Sequence, residues 1–140
     1  MGVHVGKSAL RQRRKELHSS ANQLGGGADT ATVCLLLFYA AECGLKERLL
    51  TRGGHRDTSA LPHELLTHNL RYLAKDLRLP QELWRHLNHL RSCRRTDQHN
   101  AAIDIRELHE AWRYGAKLTD ADNKDADTAL RKLLTWCEQD

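Results

Sequence analysis

Closely spaced cysteine pairs are missing from this sequence. Its four cysteines are scattered along the chain, at Cys34, Cys43, Cys93 and Cys137. This spacing excludes the usual zinc-finger motifs and argues against a dense disulfide framework. Phosphate-binding loops, dinucleotide fingerprints, His-Glu-x-x-His motifs and nucleophile elbows are missing as well, which excludes the enzyme classes that they mark. We therefore predict reduced thiols, no metal and no other cofactor.

Proline, phenylalanine and long apolar runs are also scarce. The 140 residues include two prolines and one phenylalanine, whereas leucine and alanine are abundant, which favours helices over sheets. The main apolar stretch begins at Val33 and is interrupted by Glu42, far short of the roughly 20 residues that a membrane-spanning helix needs. The first residues lack the apolar run of a secretory signal. These features predict a soluble, cytoplasmic protein that does not associate with a membrane.

Basic residues outnumber acidic ones. The chain has 22 lysines and arginines against 18 aspartates and glutamates, which gives a formal net charge of +4, and it has nine histidines. A mildly basic protein favours an anionic partner. The basic cluster from Arg11 to Lys15 could bind RNA, DNA or an acidic partner, and a solvated helix face is the other interpretation.

Hydrophobic periodicity predicts helices along the chain and no convincing strand. The length suits a single domain, residues 1–140, in which residues 1–24 contain a basic amphipathic first helix from about Lys7 to Leu24. Gly25–Gly27 is predicted to end that helix. The later predicted segments are helices at about 29–50, 59–78, 81–90, 105–116 and after 120, with a polar loop at 92–100. The predicted fold is all-α, a bundle of four long helices plus one or two short ones.

Two charges follow the apolar part of the second predicted helix. Glu42 and Lys46 lie one helical turn apart, directly after the run from Val33 to Tyr39. They could form an ordinary exposed pair. A buried arrangement with His68 or Arg113 is the interpretation that we favour, because a buried charge costs several kcal/mol unless it is paired. Such a network, completed by Tyr114, could also serve only to fix the helix register.

Four motifs occur in a characteristic order. They are Tyr39-Ala40-Ala41-Glu42-x-x-Leu45-Lys46, His68-Asn69-Leu70-x-x-Leu73, Trp112-Arg113-Tyr114-Gly115, and a last helix that begins among small and acidic residues at Asp125-Ala126-Asp127-Thr128. Together they resemble the HEPN superfamily, the helical domains named for higher eukaryotes and prokaryotes nucleotide-binding. The resemblance covers roughly residues 30 to 140.

The resemblance implies a HEPN-like bundle that forms a homodimer or joins a larger complex in a bacterial toxin–antitoxin, antiphage or CRISPR-linked system. Many members are metal-independent endoribonucleases with an Arg-x(4–6)-His motif. Arg94 to His99 is a literal match to this motif. In this interpretation Arg94 stabilises the transition state and His99 is the general acid or base.

Two further predictions concern surfaces and roles. A basic strip that contacts phosphates is predicted at Arg91, Arg95, Arg106, His109 and Arg113. The same strip could be an ordinary solvated face. The region between Arg106 and Arg113, where the family motif would fall, has a shorter Arg-to-His spacing. That departure favours the alternative function, a non-catalytic helical interaction subunit that recruits or regulates a partner effector.

Overall fold

The computed structural model describes residues 3–24 and 29–139. Within these ranges the chain forms α1 (Lys7–Leu24), α2 (Thr30–Gly53), α3 (Leu70–Ala74), α4 (Gln81–His89), β1 (Arg94–Arg95), β2 (Ala101–Ala102), α5 (Leu108–Arg113) and α6 (Asp120–Glu138). Short 3₁₀ turns occupy Thr58–Ala60, His63–Leu65, Leu90–Ser92 and Ile105–Glu107. The predicted all-α class is confirmed. The predicted glycine stop at Gly25–Gly27 lies outside the described residues.

Helix α2 is the central element of the fold. It packs against α1, α3, α5 and α6, and Leu37, Phe38, Leu45 and Leu50 on it are fully buried. Asp29 caps its first turn by accepting a hydrogen bond from the Ala31 amide, which satisfies one of the donors that a helix start leaves free. A residue on α2 can therefore meet side chains from several other helices. Among the described residues, no helix is long and apolar enough to cross a membrane.

The predicted third long helix is wrong. Instead of one helix over 59–78, the structure has two 3₁₀ turns followed by α3, which is only five residues long. Pro62 disfavours helical backbone at the residue before it, and Leu61 is extended. Asn69 then starts a new helix, because its side-chain oxygen accepts a hydrogen bond from the Tyr72 amide at 3.1 Å. The described chain thus has three long helices and three short ones.

The segment predicted as a polar loop at 92–100 contains part of a β-hairpin. Arg94 pairs with Ala102 and Arg95 with Ala101 in antiparallel register. The chain reverses at His99 and Asn100, both of which have left-handed backbone with φ of 52° and 56°. Strands of two residues are too short to produce a period-2 pattern, so the sequence gives no sign of them.

Candidate active site

A polar cluster forms where α2 meets α5 and the start of α3. We call it the His68 cluster, and its members are Tyr39, Glu42, Lys46, His68, His109 and Arg113. Helix α2 contributes the first three at positions i, i+3 and i+7, which places them on one face. The break before α3 positions His68 next to the cap residue Asn69. Helix α5 contributes His109 and Arg113, one turn apart.

Glu42 is the acidic centre of this cluster. Its Oε1 lies 2.6 Å from His68 Nδ1, and its Oε2 accepts a hydrogen bond from Lys46 Nζ at 3.0 Å. The Glu42 side chain is 13% exposed and the Lys46 side chain 6%. Burial alone would raise the pKa of Glu42, but the hydrogen bond with His68 and the charge of Lys46 outweigh it and lower that pKa. Glu42 is therefore a carboxylate near neutral pH.

His68 is held by this carboxylate in a defined orientation. A carboxylate can only accept, so His68 donates from Nδ1, and Nε2 is left to take up or release a proton. The side chain is 50% exposed, so that nitrogen can meet a substrate. An imidazole oriented by a carboxylate is the arrangement by which many enzymes position a general base.

His109 is the buried partner of His68. The two ring centroids are 4.2 Å apart, and Phe38 stacks on His109 at 5.6 Å. Tyr39 Oη lies 3.1 Å from His109 Nδ1, whereas His109 Nε2 is buried without a hydrogen-bond partner. Burial lowers the pKa of His109, and the neighbouring His68 lowers it further. His109 is therefore neutral near pH 7.

Arg113 completes the cluster at the surface. It is exposed, it donates a hydrogen bond to Tyr39 Oη, and its guanidinium carbon lies 5.6 Å from the centre of the Tyr39 ring. A chain of contacts thus runs from Arg113 through Tyr39 and His109 to His68, and on to Glu42. The cluster combines an exposed cation with an exposed, oriented imidazole, which is what acid–base chemistry on a phosphate ester requires.

The structure brings together most of the residues that were predicted as a polar network. Glu42, Lys46 and His68 are in direct contact, and Arg113 joins them through Tyr39 and His109. Tyr114 contacts Arg113, with the guanidinium carbon 5.7 Å from its ring centre, but its side chain is largely exposed. It belongs to the rim of the cluster.

Arg94 and His99 both lie in the hairpin. Arg94 belongs to β1 and His99 to the reversal, and in the described chain no hydrogen bond joins their side chains. The Arg94 guanidinium donates to the Asn100 carbonyl at 3.5 Å. Both side chains are exposed. The catalytic roles predicted for Arg94 and His99 therefore lack the local contacts that orient His68.

The predicted basic strip is divided in the structure. Arg95 pairs with Asp97 and Arg106 with Asp104, each through two hydrogen bonds, while Arg91 is exposed. His109 is only 3% exposed, so its predicted place on a solvated strip is wrong. His109 is buried because its ring packs against Phe38 and His68. Arg106 belongs to a 3₁₀ turn, so one continuous α-helical register does not relate it to His109.

The sequence does not predict that Tyr39 and His109 belong to the His68 cluster. Tyr39 is part of a motif in which no function is assigned to it, and His109 is predicted to lie at the surface. The spacing of Tyr39, Glu42 and Lys46 on one helical face was the signal for Tyr39. The burial of His109 depends on packing against Phe38, for which the sequence offers no signal. Among the residues that the structure describes, no group of three or more His, Cys, Asp or Glu side chains could hold a metal ion.

The state of His109 predicts an acid-sensitive stability. Because burial lowers its folded pKa, the unfolded chain binds a proton more readily, and folding is disfavoured as pH falls. The stability that depends on neutral His109 is fully present above its unfolded pKa of about 6.5. This stability is lost as pH decreases through the lower folded pKa. We expect the free energy of unfolding in urea to fall between about pH 7.5 and 5.5, and His109→Gln to reduce that fall. The exposed His89→Gln should behave like wild type, and a pH dependence unchanged in His109→Gln would contradict the assignment.

Comparison of the chain with protein-family models, with curated proteins and with solved structures found no match. The resemblance to the HEPN superfamily therefore depends on the sequence motifs. Three of those motifs contribute residues to the His68 cluster: Glu42 and Lys46 from the first, His68 from the second and Arg113 from the third.

Proposed function

We propose that this chain is a HEPN-like, nucleic-acid-handling protein of a bacterial defence or toxin–antitoxin system, and that it cleaves RNA without a metal ion. The observation that supports this function best is the exposed His68 imidazole, held by the Glu42 carboxylate 2.6 Å away. The exposed Arg113 belongs to the same cluster and supplies a positive charge for a phosphate. The proposed catalytic pair is therefore His68 and Arg113, in place of Arg94 and His99.

The chemistry follows from what these groups can do. His68 Nε2 takes the proton of an RNA 2′-hydroxyl, whose oxygen attacks the adjacent phosphorus. The bond from phosphorus to the 5′ oxygen breaks, and the imidazolium returns a proton to that leaving oxygen. The products are a 2′,3′-cyclic phosphate and a 5′-hydroxyl. Arg113 balances the charge that develops on the phosphate oxygens, and Glu42 stabilises the imidazolium.

Three arginines near the hairpin, Arg91, Arg94 and Arg95, are proposed to bind the RNA backbone. Arg91 and Arg94 are exposed and Arg95 is partly exposed, and all three lie in the segment between α4 and β2. Contacts to phosphates position a strand without reading its sequence, and they weaken as salt increases. We expect RNA binding to be largely independent of sequence and to be sensitive to ionic strength.

The proposed function predicts cleavage of RNA in the presence of EDTA. The reaction should be lost on a 2′-O-methyl RNA of the same sequence, since that substrate lacks the attacking hydroxyl. Arg113→Gln should lower the rate about 10²- to 10³-fold, as removal of a donor to a developing oxyanion does. A time course resolved on a denaturing gel measures these rates.

Arg106→Gln is the matched control, because Arg106 is also exposed and lies near α5 but pairs with Asp104. It should cleave at nearly the wild-type rate. Cleavage of the 2′-O-methyl RNA would contradict the proposed chemistry. If several RNAs all remain intact, the chain is not a ribonuclease.

A second candidate function is the non-catalytic interaction subunit. Tyr114 is 74% exposed and lies beside Arg113. Tyrosine and arginine are enriched among the residues that anchor protein interfaces. In this function the His68 cluster holds α2, α3 and α5 in register, and the pair Arg113 and Tyr114 contacts a partner effector or a second copy of the chain.

A further inference from the structure

A second charged cluster lies where α1, α2 and α6 meet, and its centre is Arg14. This arginine is only 4% exposed, and its Nε is buried without a hydrogen-bond partner. Its ion pairs are long, with 3.7 Å from Nε to Glu47 Oε1 and 3.8 Å from Nη1 to Glu138 Oε1. A charge-assisted hydrogen bond would be about 2.7–2.9 Å long. The two carboxylates therefore do not saturate the donors of Arg14.

The chain makes room for this buried arginine. A Cβ atom at Gly44 would lie 3.0 Å from Arg14 Cδ and 2.8 Å from Cys137 Sγ, so glycine at this position of α2 allows the Arg14 stem to pass. Glu47 is already engaged through its other oxygen, because Oε2 accepts a hydrogen bond from Arg11 Nε at 2.7 Å. Arg14 is thus buried in space that Gly44 leaves open, and its Nε still has no hydrogen-bond acceptor.

A cavity of about 280 Å³ opens at this cluster. Six charged side chains line it: Arg11, Arg14, Lys15, Arg48, Glu47 and Glu138. Four cations face two carboxylates there, a formal excess of two positive charges. The volume far exceeds the roughly 15 Å³ that one water needs and lies just below the range of about 300–1,000 Å³ for pockets that hold drug-sized ligands. Its size and charge suit a small anion.

We propose that this cavity binds a phosphate group, either the free anion or the phosphate of a small molecule such as a nucleoside monophosphate. The Arg14 guanidinium would donate to two phosphate oxygens, the fork geometry for which arginine is suited. Lys15 is exposed at the mouth of the cavity and adds a second charge. Arg48 adds a further positive charge, and its Nη2 donates to the Trp136 and Cys137 carbonyls. Glu138, whose side chain is 48% exposed, competes with the phosphate for Arg14.

Isothermal titration calorimetry of the full chain with inorganic phosphate, and separately with AMP, tests the proposal at fixed pH and ionic strength. We expect saturable binding that weakens at least about tenfold in Arg14→Gln, which loses a charged donor. Lys15→Ala should weaken binding by about fivefold and Glu138→Gln should tighten it by about fivefold. That factor corresponds to about 1 kcal/mol for one unit charge at contact distance in water. Lys15 and Glu138 are exposed, but Glu138 also pairs with the buried Arg14 at 3.8 Å, so thermal unfolding checks that each variant is folded.

Glu16→Gln is the matched control for Glu138→Gln. Glu16 is half-exposed on α1 and pairs with Arg13 at 3.6 Å, so its substitution changes the net charge equally without removing a group that lines the cavity. Its phosphate affinity should equal that of wild type. Equal tightening in the two variants, or no saturable binding to wild type, would overturn the proposal. If the variants behave as expected, the ligand that binds more tightly, phosphate or AMP, identifies the source of the phosphate group.

Discussion

Replacing His68 with glutamine is expected to slow RNA cleavage by about 10²- to 10⁴-fold, the usual contribution of a positioned general acid or base. The glutamine amide can still donate a hydrogen bond to Glu42 but cannot take up a proton near neutral pH. Since the His68 side chain is half exposed, the fold should tolerate the change. Single-turnover cleavage with saturating protein measures the chemical step, and thermal unfolding checks that the variant is folded.

His99→Gln is the control for this experiment, because Arg94 and His99 are the Arg-x4-His pair predicted from the sequence to be catalytic. It should cleave at a rate close to wild type. If His99→Gln loses RNA cleavage while His68→Gln cleaves at the wild-type rate, the active site lies in the hairpin and not at the His68 cluster. Equal, modest losses in both variants would show that neither histidine transfers the proton.

Replacing Glu42 with leucine is expected to lower the free energy of unfolding by about 3–5 kcal/mol, because it leaves Lys46 buried without its partner. The Lys46 side chain is 6% exposed, and its ammonium donates to Glu42 at 3.0 Å. An unpaired buried ammonium must reach water, lose its proton or distort the helix, and each of these responses costs free energy. Urea unfolding at pH 7.5 measures the loss.

The double variant Glu42→Leu/Lys46→Met separates charge from packing. It removes both charges and retains apolar volume, so most of the lost stability should return. Glu16→Ala breaks the exposed pair with Arg13 and should change stability by less than about 0.5 kcal/mol. If the double variant is less stable than Glu42→Leu, the pair with Lys46 is not what makes Glu42 important to the fold.

The sequence predicted α1 and α2 well because their signals are local. The period of Leu10, Leu17 and Ala21 defines α1 from Lys7 to Leu24, and all three residues are buried. The apolar run of α2 likewise indicated a central helix, and the charges that follow it indicated a polar network with His68. These patterns depend only on which residues share a helical face.

The remaining features depend on contacts between distant segments. Leu61, Leu70, Leu73 and Leu77 follow a helical period and are all buried, yet Pro62 and the Asn69 cap divide them between separate elements. Periodicity reports burial, so it does not show where a helix breaks. The burial of Arg14 was not predicted, although it lies four residues after Leu10 and three before Leu17 and so shares the buried face of α1. The sequence does not show that Gly44, on a different helix, leaves space there for a charged side chain.

The break in the third predicted helix also affects how the His68 cluster can move. Glu42 and Lys46 are carried by a helix of 24 residues, whereas His68 precedes a helix of five. A short segment opens locally at a lower free-energy cost than a long buried helix. We therefore expect His68 to separate from Glu42 at a lower free-energy cost than unfolding of the bundle. In the proposed ribonuclease, admission of substrate and release of product would then depend on the local opening of one short segment, and substitutions there would change the rate of turnover without altering global stability.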